Sequence, residues 1–479
     1  MKRSGVSSTA TIAGSLIVGL LIGAGAIYGL AGSLGLASTT TTTAGGGTKT
    51  VTVAQTVTST AAGAACSTCL AGINGTMLLG AAQAAGNLSG TLTIGDLTDL
   101  TGGLSGEGKA VQSTTGFAIS DINKWLATTP LKGKVTFTQN LQDYALDNTK
   151  AATIMNSFLT QGIRVVVGPL NSGTAGSLIP FANSNHFVMI SESSTNPNIA
   201  IAGDYLFRTP PSDDIQGKAD SAEFVQSGVQ DVVIVYRNDG YGAGLANSTG
   251  AEFKAAGGHV EASIPFDTTT SNFVPILGTI NDAYNAAVGK YGATHVGLYF
   301  VTFNEFANLA TQAASNYPAL LKSPLPWFGT DGQGNEAPIV NSTYAATVVQ
   351  TRLAASFPGF TSSKLTDSVC SRLFAAISVL CDGYSTGAYD DMWIAALSLL
   401  YCHGQNGVCI QAVLPAVAAG FAGASGVTIL NTAGDRLFAS YVFFCIAPSG
   451  GSGAKWIVCG TWDQASNKIV WSTKPQGIP

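Results

Sequence analysis

Two short loops rich in hydroxyl side chains follow apolar runs near the middle of the chain. Residues 168–174 come directly after three valines at 165–167, and residues 191–197 follow a second apolar run. The first loop opens a segment of helical period, and a helix N-terminus presents free backbone N–H groups to an anion. We therefore expect a ligand that carries a carboxylate. The alternative interpretation is that Ser172 and Ser193 only cap helices.

The elements that must position these loops alternate regularly from residue 91 onward. Short β-branched runs predict strands, and longer segments of helical period predict helices. The predicted strands are 92–97, 135–141, 165–167, 187–191, 232–236, 260–265, 295–301, 327–329 and 346–351. The predicted helices include 108–126, 149–161, 212–227 and 242–256. This alternation predicts an α/β fold with parallel sheets, which bind ligands beyond the carboxyl ends of their strands.

The composition narrows the class of protein. The chain has 479 residues, enough for two domains, and a net charge of −5, which argues against a nucleic-acid partner. Only 10% of residues are charged, against about 25% in typical soluble domains. A charge-poor surface suits an acidic medium, and compositional drift is the alternative.

Features of exported proteins recur along the sequence. The eight cysteines are Cys66, Cys69, Cys370, Cys381, Cys402, Cys409, Cys445 and Cys459. Four glycosylation sequons begin at Asn74, Asn87, Asn247 and Asn341. An even cysteine count and sequons together favour the outside of the cell.

Two disulfides are predicted within the C-terminal part of the chain. Residues 438–447 and 455–461 flank a Gly- and Ser-rich loop and predict an antiparallel hairpin, across which Cys445 and Cys459 can meet. Cys402 and Cys409 flank a turn and form the second predicted bridge.

The remaining cysteines are harder to pair from spacing. An unbroken helix would hold Cys370 and Cys381 ~16 Å apart, so a bridge between them is less expected. Cys66 and Cys69 have the spacing of metal ligands, but no second pair or histidine is near them. A local or intermolecular disulfide is the preferred interpretation.

The N-terminal segment, residues 1–37, predicts a membrane anchor. Lys2 and Arg3 precede a charge-free apolar run at about 11–31, which is long enough to span a bilayer with the basic residues inside. Everything after about residue 37 would then lie outside and be open to protease on intact cells. A cleaved signal peptide ending near Leu36-Ala-Ser38 is the alternative.

A Thr-, Gly- and Ala-rich stalk is predicted at 38–88. Lys49 is the one charged residue between 39 and 86, and this segment need not fold. Within it, 50–57 alternates like a strand, and 64–85 could form a small helical piece.

Eight motifs in order give the chain a resemblance to a known family. They are Ile94-Gly-Asp-Leu-Thr-Asp-Leu-Thr-Gly102, Val167-Gly-Pro-Leu-Asn-Ser-Gly-Thr174, Ile190-Ser-Glu-Ser-Ser-Thr-Asn-Pro197, Tyr205-Leu-Phe-Arg-Thr209, Asn238-Asp-Gly-Tyr-Gly-Ala-Gly-Leu245, Trp327-Phe-Gly-Thr-Asp-Gly332, Ala388-Tyr-Asp-Asp391 and Trp456-Ile-Val-Cys-Gly-Thr-Trp-Asp463. From about residue 91 to 471 the sequence resembles the branched-chain amino acid binding proteins of ABC transporters, of leucine/isoleucine/valine type. The resemblance implies the type 1 periplasmic binding fold, with two Rossmann-like lobes joined by three crossings. Lobe 1 would be 89–211 plus 353–435, and lobe 2 would be 212–352 plus 436–479.

The resemblance also implies a set of ligand-binding residues. Ser172, Ser193 and Thr195 match lobe 1 positions that hold the ligand's carboxylate and amino group. On lobe 2, the matching positions are an aromatic cover, an acidic partner for the α-amino group, and a second aromatic aligned to within one residue. They fall on Tyr241, on Asp331, and on Thr302 or Phe303.

Two features of the sequence bear on this assignment of ligand-binding residues. Glu107 stands where the type member has tyrosine, which alters one wall of the pocket. Asp331 lies in Thr330-Asp-Gly332, where an Asp-Gly pair also favours a turn. A zwitterion still needs both an anion site and a cation site, and hydroxyls with a carboxylate supply them.

The resulting prediction is a solute-binding protein that takes an amino acid or amide to an ABC transporter permease, with no metal or cofactor. A membrane-anchored surface receptor or sensor on the same fold is the alternative. An enzyme is the third class, but the four histidines are scattered and no catalytic motif surrounds them. Cys402-His403 with Cys409 is better explained by a disulfide than by a metal site.

Overall fold

The computed structural model describes residues 37–44, 47–54, 75–438 and 440–479. The predicted membrane anchor at 11–31 and the pair Cys66 and Cys69 lie outside these residues. Within the described ranges, no helix combines the length and apolarity needed to cross a membrane.

The N-terminal threonine-rich segment forms a β-hairpin that is a unit of its own. Strand β1, Ala37–Ala44, pairs antiparallel with β2, Gly47–Ala54, so that Ala37 lies opposite Ala54. The strand predicted at 50–57 is therefore found in part as β2, and the preceding threonine run, which the composition indicated need not fold, forms β1. Threonine is β-branched and fits a pleated strand, which the compositional argument did not take into account.

The main unit alternates strands and helices. Its first part contains α1 Gly75–Ala84, β3 Gly90–Thr98, α2 Ser105–Leu126, β4 Val135–Asp143, α3 Asn148–Thr160, β5 Val165–Val167, α4 Ser172–Asn185, β6 Val188–Ser191 and β7 Leu206–Pro211. Its middle part contains α5 Asp213–Gln226, β8 Asp231–Arg237, α6 Gly240–Ala255, β9 His259–Phe266, α7 Val274–Tyr291, β10 Val296–Val301, α8 Glu305–Asn316, β11 Trp327–Gly329, α9 Ala345–Thr351 and β12 Ala354–Pro358. Its last part contains α10 Lys364–Ile377, α11 Gly383–Tyr401, α12 Gly407–Gly420, β13 Asp435–Arg436, β14 Tyr441–Pro448, β15 Ala454–Asp463 and β16 Lys468–Trp471.

The strands of this unit form two sheets. The first sheet has six strands in the order β13-β7-β6-β5-β3-β4, and each neighbouring pair is parallel. The second has eight strands in the order β16-β15-β14-β12-β11-β10-β8-β9, with the antiparallel pairs confined to the β12–β16 side. The chain passes between the sheets after β7, after β12 and after β13. The α/β class with parallel sheets is confirmed.

Burial explains why these runs become strands. The three valines of β5 are fully buried, as are all residues of β10 and β12. A parallel strand covered by helices on both faces reads as a continuous apolar run. Helix α11 provides much of the cover on the first sheet, and it is buried along nearly its whole length.

Two sequence assignments need correction. Residues 346–351 form helix α9 rather than a strand. Residues 354–358, which were assigned to lobe 1, form β12 in the second sheet, because β12 pairs with β11 and β14. Strand β12 begins three residues after helix α9 ends and contains no β-branched residue.

Three disulfides lie in the described part of the chain. Cys402–Cys409 and Cys445–Cys459 bridge Cα atoms 5.7 and 5.8 Å apart. Cys370–Cys381 also forms, with Cα atoms 5.1 Å apart. Helix α10 ends at Ile377 and Ser378 adopts a left-handed conformation, so the chain turns back instead of continuing as the assumed helix.

Candidate ligand-binding site

The two hydroxyl-rich loops meet at the carboxyl ends of β5 and β6. Helix α4 begins at Ser172, and the side chain of its N-cap residue, Asn171, makes no capping hydrogen bond. Ser172 Oγ instead accepts hydrogen bonds from the backbone N–H groups of Thr195 and Asn196, at 3.1 and 3.2 Å. Ser193 Oγ donates to the carbonyl oxygen of Leu170 at 2.9 Å. Neither serine acts as a simple helix cap, and Ser172 joins the two loops.

From the second sheet, Tyr241 and Phe303 contribute an aromatic wall. Tyr241 lies in the first turn of α6, whose N-cap Asp239 accepts a hydrogen bond from Gly242. The rings of Tyr241 and Phe303 stack with centroids 5.2 Å apart. The guanidinium of Arg237 lies 3.6 Å from the centroid of the Phe303 ring and pairs with Asp239 and Glu305.

Asp331 follows β11, and three donors hold its carboxylate. Gln216 Nε2 and the Tyr241 hydroxyl each donate to Oδ1 at 2.7 Å, and the Tyr384 hydroxyl donates to Oδ2. Burial raises the pKa of Asp331, and these hydrogen bonds oppose the rise. A carboxylate has about four acceptor positions, and these three donors occupy most of them.

These residues line a narrow cavity between the two sheets. Its lining consists of Leu104, Glu107, Leu170, Asn171, Ser172, Ser193, Tyr241, Phe303, Asp331, Gly332, Glu336 and Tyr384. Five of the residues predicted from sequence are therefore brought together: Ser172, Ser193, Tyr241, Phe303 and Asp331.

Two predicted residues do not line the cavity. Thr195 is buried behind it, where its backbone N–H donates to Ser172 and its carbonyl accepts from Asp213. Thr302 Oγ1 accepts from Gln333 Nε2 at 2.5 Å, which fixes the turn after β11. Of the aligned pair at 302 and 303, the phenylalanine is the one that lines the cavity.

Glu336 and Tyr384 are among the lining residues that were not predicted. Glu336 lies five residues beyond Asp331 in the same loop, and its Oε1 accepts a hydrogen bond from the Glu107 backbone N–H at 2.9 Å. Tyr384 lies in the first turn of α11, which a capping box at Asp382 and Ser385 begins. The position of Glu336 after a parallel strand was an available signal, whereas nothing near Tyr384 in sequence indicated its role.

The lining is rich in carboxyl groups. Glu107, Asp331 and Glu336 all face the cavity, and its described lining contains no Lys, Arg or His. Burial raises the pKa of Glu336 to about 8. It raises the pKa of Glu107 well above its usual value, and Asp382, Glu336, Glu192 and Asp331 add like-charge repulsion.

The one group of potential metal ligands in the described structure lies away from this cavity. Among the described residues, the one group of three potential metal ligands close enough to share an ion is Asp231, His259 and Glu261. Asp231 and His259 begin β8 and β9, so they lie at the opposite edge of the sheet from the cavity. Lys290 Nζ already pairs with Glu261 at 2.6 Å.

Comparison with known proteins shows similarity to receptor and binding-protein sequences. A family profile described as "Receptor family ligand binding region" matches residues 110–307. Uncharacterized protein MJ1266 from Methanocaldococcus jannaschii is 28% identical over 406 residues, which cover 81% of this chain and 93% of that protein. Leu/Ile/Val-binding protein BraC3 from Rhizobium johnstonii is 31% identical over 169 residues, 35% of this chain and 45% of the relative. That match spans less than half of the relative.

Solved structures match over most of the chain. The leucine binding protein LivK from Thermotoga maritima matches with a TM-score of 0.63 at 18% identity, covering 77% of this chain and 98% of that one. LivJ from Streptococcus pneumoniae, in complex with isoleucine, matches with a TM-score of 0.62 at 21% identity, covering 77% and 100%. A solute binding protein from Rhodopseudomonas palustris, in complex with 3,4-dihydroxybenzoic acid, matches with a TM-score of 0.59 at 14% identity, covering 81% and 99%.

These matches confirm the resemblance to the branched-chain amino acid binding proteins. The main unit has the α/β fold with parallel sheets of the type 1 periplasmic binding proteins. BraC3, LivK, LivJ and the Rhodopseudomonas protein are described as binding proteins, which supports the non-enzyme prediction at the level of the family.

Proposed function

We propose that this chain is an extracytoplasmic solute-binding protein that captures an amino acid, or a closely related amide, between two lobes. Lobe 1 is the first sheet with its helices, and lobe 2 is the second. The ligand is then delivered to the permease of an ABC transporter.

The observation that carries this proposal is the opposed chemistry of the two sides of the cavity. The first sheet presents Ser172 at the N-terminus of α4, where partial positive charge favours a carboxylate, with Ser193 beside it in the loop after β6. The second presents Asp331, a partner for an ammonium group, beside the aromatic ring of Tyr241. A zwitterion matches both sides at once.

Contacts across the cavity support closure around a ligand. The Glu107 backbone N–H donates to Glu336 from the facing sheet, and Asn196 Nδ2 donates to the carbonyl oxygen of Gly240 at 2.6 Å. A ligand that touches both sides stabilises only the closed form, so it shifts the open–closed equilibrium toward closure.

The relatives support a small carboxylate ligand and delivery to a transporter. LivJ is described as a branched-chain amino acid transporter substrate binding protein and binds isoleucine, and the Rhodopseudomonas protein binds an aromatic acid. All of these ligands carry a carboxylate. Three disulfides in the described chain fit an oxidising compartment outside the cytoplasm. The N-terminal membrane anchor remains part of the proposal.

Replacing Asp331 with alanine tests the zwitterion site. The change removes the partner of the ligand's ammonium and leaves that charge buried, a loss of roughly 3–5 kcal/mol. Calorimetry with a panel of L-amino acids should therefore show affinity for the bound amino acid fall by two orders of magnitude or more.

A surface aspartate provides the matched control. Asp282 is exposed on α7, and Asp282→Asn should bind as the parent does. Unchanged amino-acid affinity in Asp331→Ala would contradict the zwitterion site. The proposed ligand would then be a carboxylate or a neutral molecule instead of an amino acid.

A further inference from the structure

The cavity lining contains more carboxyl groups than a simple amino acid requires. Asp331 is sufficient to pair with an α-ammonium. Glu107 and Glu336 add two further carboxyl groups to the lining, with residue exposures of 8% and 3%. No basic side chain in the described lining offsets them.

Two of these carboxyl groups each keep a buried oxygen without a hydrogen-bond partner among the described residues, Oε1 of Glu107 and Oε2 of Glu336. The other oxygen of Glu336 accepts from the Glu107 backbone N–H. Burial, and after it the charges of four nearby carboxyl groups, raise the pKa of Glu107 by disfavouring its charged form. A buried acceptor without a partner is destabilising, so the free protein keeps an unsatisfied carboxyl oxygen of Glu107 in the cavity lining at a cost to its stability.

The backbone around Glu107 holds this arrangement in place. A Cβ at Gly106 would lie 2.3 Å from Glu336 Oε2, and one at Gly108 would lie 1.6 Å from the carbonyl oxygen of Asp99. Only glycine allows these approaches, which bring the Glu336 carboxylate to the amide of Glu107 and press the first turn of α2 against the loop after β3. The two carboxyl groups are therefore brought together by the local sequence Gly106-Glu-Gly108.

The arrangement fits an organic cation better than a metal ion. The carboxyl groups of Glu107, Asp331 and Glu336 do not form a cluster tight enough for one ion in the described structure. Apolar side chains, including Leu104, Leu170 and Phe303, lie in the same lining. An aliphatic stem that ends in an ammonium would meet both kinds of surface.

We propose that the ligand carries a second cationic group, as basic amino acids such as lysine and ornithine do, and that Glu107 binds this group with Glu336 beside it. This inference rests on the proposed amino-acid-binding function and names the class of ligand. The ligand's ammonium donates N–H bonds to the free carboxyl oxygen of Glu107, and a proton held there in the empty site leaves to solvent.

A matched pair of ligands provides the test. L-Norleucine has the aliphatic stem of L-lysine without the terminal ammonium. Calorimetry on the full chain should show L-lysine binding at least tenfold more tightly than L-norleucine. Repeating the lysine titration in buffers of different ionisation enthalpy near pH 7 should reveal proton release on binding.

Two variants test whether the preference for lysine over norleucine depends on Glu107. In Glu107→Gln, lysine and norleucine affinities should come within about twofold of each other, because the amide has no charge to pair. In Glu252→Gln, a change on α6 away from the cavity, the tenfold preference should persist. The comparison in the parent protein decides the proposal even if Glu107→Gln does not fold.

Each outcome separates this inference from the proposed function. Equal binding of lysine and norleucine by the parent would overturn the second cation site and leave the amino-acid site in place. Binding of no amino acid at all would overturn both. A lysine preference that survives in a folded Glu107→Gln would also overturn the assignment to Glu107.

Discussion

Ser172 has two roles in the site: it holds the two loops together, and it offers a hydroxyl group to the ligand. Its oxygen accepts from the backbone amides of Thr195 and Asn196, which holds the second loop against the first. Its hydroxyl proton stays available to a ligand carboxylate. The residue proposed to bind the ligand therefore also fixes the geometry of the loop that carries Ser193.

Replacing Ser172 with alanine should weaken both folding and binding. Two buried N–H groups lose their acceptor, which costs about 1–3 kcal/mol of unfolding free energy. Amino-acid affinity should fall by about tenfold or more, because a carboxylate hydrogen bond is lost as well. Urea unfolding and calorimetry on the same preparation measure the two effects.

The same substitution elsewhere in α4 is the control. Ser177 is exposed, and its Oγ donates to the carbonyl oxygen of Thr174. Ser177→Ala should leave both stability and affinity within experimental error. Equal effects of the two substitutions would argue that Ser172 acts through the helix and not through the site.

At the residue scale, the sequence predicted those groups that follow a strand within a recognisable motif. Ser172 and Ser193 follow β5 and β6, so the rule for parallel sheets found their loops. Asp331 follows β11, and its role was implied by the family resemblance. Tyr384 begins a helix 53 residues beyond Asp331, and its hydroxyl reaches that carboxylate only after the sheets pack. Such a contact has no local signal in the chain.

At the element scale, buried strands were easier to predict than strands with unusual composition. The runs at β5 and β11 were predicted with their bounds, because an apolar run between loops has few alternatives. Strand β7 was missed because it ends in Pro210-Pro211, and proline argues against a strand interior. Its last residue pairs with Arg436 at an irregularity, where the ladder tolerates proline.

Helix α9 was predicted as a strand, whereas strand β7 was not predicted at all. Its sequence is rich in threonine and valine, whose helix propensity is only slightly below that of other residues. Val348 is fully buried against neighbouring elements, and this packing outweighs the local preference.

The β14–β15 hairpin gives a prediction about an element. Its register shifts between Phe443 and Phe444, so Cys445 lies opposite Ile457 and bonds to Cys459 diagonally. The disulfide closes a loop with a sequence separation of 14, which predicts a stabilisation of about 3 kcal/mol. Cys445→Ala combined with Cys459→Ala should lower the unfolding free energy by about that amount in urea titrations.

Peptide mapping without reductant supplies the check on this pairing. The parent should yield a fragment that links Cys445 to Cys459, and reductant should shift the parent's unfolding midpoint toward that of the double variant. A free Cys445 in the parent, or an unchanged midpoint in the variant, would show the assignment to be wrong.

The whole molecule buries many carboxyl groups but few bases. Buried Arg208 pairs with Asp435 at 2.6 Å, and Arg237 pairs with two surface-facing acids. Among the described residues, burial raises the pKa values of Asp96 and Asp220 to about 7, of Glu192 and Glu336 to about 8, and of Asp204 and Asp390 to about 6. It raises the pKa values of four more carboxyl groups well above their usual range: Glu107, Asp213, Glu223 and Asp391. Desolvation is the largest cause in each case.

These groups predict a protein that is more stable in acid than at neutral pH. Their pKa values are raised above those of the unfolded chain, so between pH 4 and 8 the folded state binds more protons. Stability is then fully present below about pH 4 and is lost as the pH rises through 6 to 8. Each unit of raised pKa corresponds to roughly 1.4 kcal/mol. Exposed Asp267 and Asp463, whose hydrogen bonds lower their pKa values, act in the opposite sense only at lower pH.

Thermal and urea unfolding at pH 4.5 and pH 8 measure this dependence, and the unfolding free energy should be greater at the lower pH by several kcal/mol. Glu192→Gln isolates one contribution, since both of its buried oxygens lack partners in the described structure and its amide replacement stays neutral. This variant should gain stability at pH 8 relative to the parent and change little at pH 4.5. In Asp463→Asn, the surface control, the parent's pH dependence should be retained over this range. A parent protein more stable at pH 8 than at pH 4.5 would show that the buried carboxyl groups are accommodated in their charged form, and the acid-medium interpretation of the charge-poor composition would lose its physical basis.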